Sequence, residues 1–253
     1  MLGVLAAVGL GFGGAAAWKA VSANAMQAAV SDANAAASSA PVSAPAASSA
    51  APVSNPDLPA DKSLWSLMLV NSTHAVPEGY DTALTFVAPD PNSQQLVDAR
   101  IAPAMQEMFA AAQQAGYTLF LRSGYRSYDT QVYLFNALEQ TYLAQGYSET
   151  DAYAMTKKLR NEPGYSEHQT GLTADIVPLR LANTDLVEAM ENEPEMQWLA
   201  AHCADYGFIL RYPKGKTDIT GTEYEPWHFR YVGVEDAKKI MESGMTLEEY
   251  LSQ

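Results

Sequence analysis

Residues 28–60 limit how this chain can fold more than any other stretch. They consist almost entirely of Ala, Ser, Pro and Val, with no lysine, arginine or aromatic side chain. Such a segment buries too little apolar surface to offset the entropy lost on folding, so we predict a disordered linker. Its prolines make it stiffer and more extended than a Gly/Ser linker. The folded part is therefore expected to be a single domain over residues 61–253.

Residues 1–27 have the features of an export segment. An uncharged apolar run from Leu2 to Trp18 is followed by Ser22-Ala23-Asn24-Ala25, an A-x-A pattern that a signal peptidase could cut. The usual positive n-region is missing, because the first basic residue is Lys19. A cleaved signal peptide and a retained membrane anchor both fit, and each predicts an extracytoplasmic protein.

Charge and cysteine content exclude several classes of protein. The formal net charge is −14, which offers no electrostatic footprint for nucleic acid. Cys203 is the single cysteine, so no intramolecular disulfide can form. It shares an apolar helical face with Leu199, which predicts a packing role. A single cysteine also excludes a zinc finger built on several cysteines.

Hydrophobic periodicity predicts strands and helices that are clustered rather than strictly alternating, which indicates an α+β fold. The predicted strands are 64–70, 82–87, 117–122, 172–177, 208–212 and 227–232, with the last two paired antiparallel. The predicted helices are 101–115, 129–144, 148–160, 193–206, 234–243 and 247–251. Pro103 is expected to start or kink the first helix, and Asp129 to cap the second.

Two short stretches near the C-terminal end contain the residue types of a catalytic zinc site. Glu225 lies three residues before His228, and His168 lies seven residues before Asp175. Two imidazoles and one carboxylate are a ligand set of catalytic zinc, which keeps its fourth position open. Glu225 is then not needed as a ligand and can act as a general base. These residues predict a zinc peptidase.

Other polar residues near these stretches have a structural as well as a functional interpretation. His74 and His202 lack suitable partners in the sequence, so packing or a surface hydrogen bond explains each of them. Arg126 follows a predicted strand and a glycine, Gly124, which aims its side chain at one end of the sheet. Its guanidinium could grip a carboxylate with two hydrogen bonds, or simply pair with Asp129 at the surface.

Taken in order, these motifs carry a resemblance to a known family. They are Ser123-Gly124-Tyr125-Arg126-Ser127, Gln131, Ser166-x-His168-x-x-Gly171-x-x-x-Asp175 and Glu225-x-Trp227-His228. The set resembles the metallo D-alanyl-D-alanine carboxypeptidases of the VanY type, in the zinc peptidase family that also contains the VanX dipeptidases. The likeness runs from about residue 64 to residue 233 and leaves the N-terminal tail outside.

The resemblance implies a role for each matching position. It makes His168, Asp175 and His228 the zinc ligands, Glu225 the catalytic base, and Arg126 a contact to the substrate or transition state. It also implies that Gln131 and Ser166 help to hold the terminal carboxylate of the substrate. The implied fold is a Hedgehog/DD-peptidase-like zinc domain of the α+β class, with a small antiparallel sheet flanked by helices.

The activity implied is zinc-dependent release of the C-terminal D-alanine from peptidoglycan stem peptides by an enzyme that faces the cell wall. The expected partner is the stem peptide, and a monomer is expected. Three alternatives remain open: an L,D-carboxypeptidase acting on tetrapeptide stems, a peptidoglycan endopeptidase, and a non-catalytic wall-binding domain. Glu225 argues against the last, because a purely structural zinc site has no use for a base.

Overall fold

The computed structural model of the chain describes residues 64–87 and 94–253. The predicted signal peptide or anchor (1–27) and the predicted linker (28–60) lie outside the described residues. Within the described ranges, no helix is both long enough and apolar enough to cross a membrane.

The strands form two antiparallel sheets. They are β1 (Leu84–Phe86), β2 (Leu96–Asp98), β3 (Leu119–Ser123), β4 (Thr173–Pro178), β5 (Phe208–Leu210) and β6 (His228–Tyr231). Strands β1 and β2 pair with each other, and the remaining four form a sheet in the order β3-β4-β6-β5. The predicted antiparallel pairing of the last two strands is confirmed.

Helices surround this sheet. They are α1 (Ala102–Gln114), α2 (Tyr128–Ala144), α3 (Glu149–Leu159), α4 (Pro194–His202), α5 (Thr217–Thr220), α6 (Val234–Ser243) and α7 (Leu247–Leu251). A small antiparallel sheet flanked by helices is the α+β architecture predicted from the sequence.

Helix α1 shows how the apolar pattern builds the core. Met105, Met108 and Ala112 recur at helical spacing and are fully buried with the inner residues of the sheet. Pro103 lies in the first turn, where its missing N–H costs no hydrogen bond, so it starts the helix without kinking it. A second apolar cluster joins α6 and α7 to β5.

Several details differ from the sequence prediction. The apolar segment 64–70 is not a strand but contains a 3-10 turn, Trp65–Leu67. Ser127, not Asp129, caps α2, because the Ser127 side chain accepts a hydrogen bond from the Thr130 N–H. The predicted helix 193–206 ends at His202 and continues as a 3-10 turn. Strand β2 was not predicted.

Strand β4 occupies the centre of the domain. All six of its residues are buried, since β3 and β6 flank it and apolar side chains cover both faces. In its register with β6, Asp175 lies directly opposite His228, and Ala174 lies opposite Phe229. The sheet pairing therefore brings two of the predicted ligands together.

The turn before β4 requires a glycine. The 3-10 turn Glu167–Thr170 ends at Gly171, whose φ is 70°, in the left-handed region. The Gly171 carbonyl accepts a hydrogen bond of 3.0 Å from the Asp98 N–H. A Cβ atom at Gly171 would lie 2.8 Å from that same Asp98 nitrogen. Both the backbone conformation and the close approach of β2 exclude a side chain here.

We predict that Gly171→Ala destabilises the domain more than Gly215→Ala. Gly215 also has positive φ, at 75°, but a Cβ there would meet no atom within 4 Å. The control therefore measures the backbone cost alone, about 1–2 kcal/mol, whereas Gly171→Ala adds the clash with Asp98. Urea unfolding of both variants tests this, and equal losses in the free energy of unfolding would contradict it.

Candidate metal centre and active-site cavity

Three buried side chains from separate parts of the fold converge on one point. His168 comes from the 3-10 turn, Asp175 from the middle of β4 and His228 from the first position of β6. Their ligand atoms all lie within 4.8 Å of one another. His168 Nε2 is 3.4 Å from Asp175 Oδ2, and His228 Nδ1 is 3.2 Å from Asp175 Oδ1. Ligands about 2.0–2.1 Å from a tetrahedral zinc are separated by roughly 3.3 Å, so these spacings fit the metal.

Hydrogen bonds behind the two histidines fix which ring nitrogen faces this point. His168 Nδ1 donates to the Gly124 carbonyl at 2.7 Å, which leaves the Nε2 lone pair free. The Thr173 hydroxyl donates to the Phe229 carbonyl, so its oxygen accepts from His228 Nε2, both at 2.8 Å. Nδ1 of His228 is then left with a free lone pair. Both rings therefore offer a lone pair to the same point, as metal ligands must.

Asp175 gives the clearest test of whether a cation fits this point. Its Oδ1 is buried and has no hydrogen-bond donor among the described residues. The nearby His228 Nδ1 is not a donor in the tautomer that Thr173 imposes. An ionised, buried oxygen without a donor is costly unless a cation binds it. The residues present therefore fit zinc.

Glu225 lies beside the three ligands without being needed as one. The His228 N–H donates to the Glu225 carbonyl at 3.2 Å, and this turn places Glu225 Oε2 3.4 Å from His228 Nδ1. Burial and the negative charge of Asp175 raise the pKa of Glu225 to about 7, against the opposing effect of His228, Arg160 and Arg126. The Glu225 carboxylate thus lies next to the point on which the three candidate ligand atoms converge.

Arg126, Gln131 and Ser166 lie on the same cavity as the ligands. Arg126 Nη1 donates to Gln131 Oε1 at 2.9 Å, and Nη2 donates to Ser123 Oγ at 3.1 Å. The cavity has a volume of about 540 Å³, within the range of small-molecule sites. All seven residues that the sequence singled out for the site line it. The sequence prediction therefore selected residues that share one cavity.

His74 and His202 lie elsewhere. His74 contacts the side chains of Asn71 and Thr73. The His202 ring packs 4.7 Å from that of Trp198. Neither lines the cavity, and Cys203 is buried in the main core, as its apolar neighbours predicted.

A buried ion cluster behind His228 was not predicted. Glu167 Oε2 lies 3.4 Å from His228 Nε2, on the side of the ring away from the metal point. Its Oε1 accepts from Arg211 Nε at 2.7 Å and from Arg230 Nη1 at 2.8 Å. Burial by itself would raise the pKa of Glu167, but Arg211, Arg230 and His228 hold it well below its usual range. These arginines are far from Glu167 in sequence, so no local pattern could have revealed the cluster.

Fold and cavity together define a class, the zinc-dependent metallopeptidases, and two histidines and one aspartate are the candidate ligands. Comparisons with known proteins identify the family. A family model described as VanY, D-alanyl-D-alanine carboxypeptidase, matches residues 94–234. A D-alanyl-D-alanine carboxypeptidase of Enterococcus faecalis is 40% identical over 192 residues, which cover 76% of this chain and 68% of that protein.

Solved structures of similar proteins support the same family assignment. A vancomycin-resistance D,D-pentapeptidase VanY variant in complex with Zn(II) superposes with a TM-score of 0.66 at 38% identity, over 74% of this chain and 99% of the other. The LdcB LD-carboxypeptidase superposes with a TM-score of 0.62 at 38% identity, over 73% and 84%. The chain belongs to the VanY family of D-alanyl-D-alanine carboxypeptidases, and it is an enzyme of that class with zinc as its cofactor.

We predict that Thr173→Val weakens zinc binding about 10- to 100-fold, the usual cost of losing a partner behind a metal ligand. Valine matches the shape of threonine but cannot accept the hydrogen bond that holds His228 in its ligand tautomer. Thr173→Ser keeps the hydroxyl and should bind zinc nearly as well as the unsubstituted protein. Chelator competition measures both affinities, and equal affinities for the valine and serine variants would contradict this role.

Proposed function

We propose that His168, Asp175 and His228 hold the zinc and that Glu225 and Arg126 act on the substrate, in a reaction that releases the C-terminal D-alanine from peptidoglycan stem peptides. The convergence of three ligand atoms within 4.8 Å beside an unused carboxylate is the observation that carries this proposal. Zinc, when bound, supplies Lewis acidity, which makes water a nucleophile at neutral pH and polarises a carbonyl.

The protein's own residues manage protons and charge. Glu225 removes a proton from the attacking water. The water oxygen then bonds to the carbonyl carbon of the last peptide bond. The carbon–nitrogen bond then breaks, and Glu225 returns the proton to the departing amine of D-alanine. Arg126, held in place by Gln131 and Ser123, binds negative charge on the substrate. Losing a contact of this kind costs about 3 kcal/mol of transition-state stabilisation.

Gln131 and Ser166 have supporting places in this proposal. Gln131 is fully buried and orients Arg126 through its side-chain oxygen. Ser166 is buried at the cavity wall, two residues before the ligand His168. We assign both to binding of the substrate's terminal carboxylate.

A second activity has specific support. The LdcB LD-carboxypeptidase is as similar in sequence to this chain, at 38% identity, as the D,D-pentapeptidase is. Cleavage after an L-centre in a tetrapeptide stem would use the same metal ligands and the same base. Incubation with defined tetrapeptide and pentapeptide stems, with and without chelator, separates the two: the primary proposal expects zinc-dependent release of D-alanine from the pentapeptide. Release from the tetrapeptide alone would assign the second activity.

We also propose that the enzyme works outside the cytoplasmic membrane, where peptidoglycan stem peptides are assembled into the wall. Support comes from the apolar run and A-x-A pattern within residues 1–27 and from the composition of residues 28–60. In this proposal residues 1–27 direct export or anchor the chain, residues 28–60 are a tether, and residues 61–253 are a monomeric catalytic domain.

We predict that Glu225→Gln retains zinc but loses about 10²- to 10⁴-fold in turnover, the usual contribution of a general base. The amide keeps the shape of the side chain but cannot accept the proton. Glu223→Gln is the matched control, because Glu223 is an exposed carboxylate that also lines the cavity. Zinc content and D-alanine release are measured for both variants. Full activity of zinc-loaded Glu225→Gln would remove Glu225 from the role of base, and loss of zinc would make it a ligand.

A further inference from the structure

Arg160 is a cavity residue to which the proposed mechanism gives no task. It directly follows helix α3 and has an extended backbone, with φ −155° and ψ 121°. Its backbone N–H donates to the Thr156 carbonyl at 2.9 Å, so the helix end is capped without the guanidinium. The side chain lines the same cavity as the three ligands and Glu225. Its placement therefore needs an explanation other than helix capping.

The guanidinium of Arg160 has no anionic partner in the described part of the chain. Its Nε is buried and makes no hydrogen bond there, and no carboxylate of residues 64–87 and 94–253 forms an ion pair with it. Leaving a buried donor of a charged group unpaired costs free energy. A ligand that supplies an anion would remove this cost.

Gln131 connects Arg126 to the backbone that follows Arg160. Gln131 Oε1 accepts from Arg126 Nη1 at 2.9 Å, and Gln131 Nε2 donates at 2.6 Å to the carbonyl of Asn161, the residue after Arg160. Burial first, and then the positive charge of Arg126, lower the pKa of Arg160 to about 10 against the opposing effect of Asp175 and Glu225. Both guanidiniums line the cavity, and their positive charges repel one another.

The carboxylates of the cavity wall near these arginines already have tasks. Asp175 is a ligand in the proposed metal site, and Glu225 is the base. With zinc bound, the positive charges of Arg126, Arg160 and the metal outnumber the negative charges of Asp175 and Glu225 beside them. Such a site favours an anionic ligand.

We propose that Arg160 is a specificity-determining residue whose guanidinium binds the C-terminal carboxylate of the stem peptide, beside the Arg126–Gln131 pair. A guanidinium can grip a carboxylate with two parallel hydrogen bonds, whereas a neutral terminal amide or a continuing peptide chain offers no such charge. Arg160 thereby restricts the enzyme to free C-termini. The inference rests on the proposed function and adds a residue to its substrate site.

The test compares the unsubstituted protein with Arg160→Gln on two substrates, one with a free C-terminal carboxylate and one with a C-terminal amide. The substrate is Nα,Nε-diacetyl-L-Lys-D-Ala-D-Ala, which has a single carboxylate, and its C-terminal amide is the partner compound. Arg160→Gln should lower kcat/KM for the acid about 10- to 100-fold, the worth of a charged hydrogen-bonded contact, and leave the value for the amide unchanged. Binding of both peptides to zinc-loaded Glu225→Gln, with and without Arg160→Gln, gives the same comparison without turnover.

Matched variants separate charge from fold. Lys158→Gln removes one positive charge from the cavity mouth and should leave the acid-to-amide ratio as it is. Arg160→Lys keeps the charge but lacks the planar fork, so an intermediate ratio is expected. Zinc content and Tm show whether each variant is folded. If Arg160→Gln is not folded, the acid-to-amide ratio of Arg160→Lys tests the role of Arg160.

The results that contradict the inference are distinct from those that contradict the proposed function. An equal loss for acid and amide, or no loss in folded, zinc-loaded Arg160→Gln, would overturn the role of Arg160. A loss seen only with longer stems that carry another carboxylate would also overturn it, because the anion would not be the terminal one. Absence of chelator-sensitive D-alanine release by the unsubstituted protein would overturn the proposed function itself.

Discussion

The ion pairs of Glu167 with Arg211 and Arg230 connect the metal centre to the rest of the fold. All three side chains are fully buried. Arg211 continues to Glu248 in α7 through two hydrogen bonds of 2.7 and 2.8 Å, and Arg230 donates to the carbonyls of Ser66 and Met68. Removing one member of such a buried pair typically costs 3–5 kcal/mol. Both ends of the described chain are therefore tied to the residue behind His228.

This connection explains how a small sheet can hold a precise site. The imidazole of His228 is restrained on one side by Thr173 and Glu167, and the ligand atom on the other side faces Asp175. Rings that are restrained in this way lose little freedom when a metal binds, which favours tight binding. The Glu167 carboxylate thus stabilises the fold and also orients His228, a proposed ligand.

The charges of the cavity are arranged differently from those of the buried cluster. Behind His228, each charge has a partner of opposite sign within hydrogen-bond distance. On the substrate side, Arg126 is held by neutral groups, and Arg160 has no partner within the described residues. Satisfied charges fix structure, whereas unsatisfied ones next to a cavity are available to a ligand. The difference separates the wall that supports the candidate metal centre from the wall proposed to bind substrate.

Much of this protein was determined locally in the sequence. Periodicity located most helices and the strands that carry the site, because burial of an apolar face follows from residue spacing alone. The stretches Ser166–Asp175 and Glu225–His228 identified the candidate ligands and base, since these residue types at a strand boundary suit metal chemistry. The short strand β2 and the 3-10 turn at Trp65–Leu67 escaped prediction, because a few residues give too little pattern to separate strand from turn.

Only the tertiary structure decided what depends on contacts between distant segments. The register of β4 with β6 sets Asp175 opposite His228, and no spacing within either strand specifies that register. The tautomers of both histidines, the pairing of Glu167 with two distant arginines and the unpaired Arg160 likewise arise when separate segments pack together. Burial then sets the strength of each charge interaction, because water no longer screens it. A sequence can list the ionisable residues, but folding decides which of them face one another without water between them.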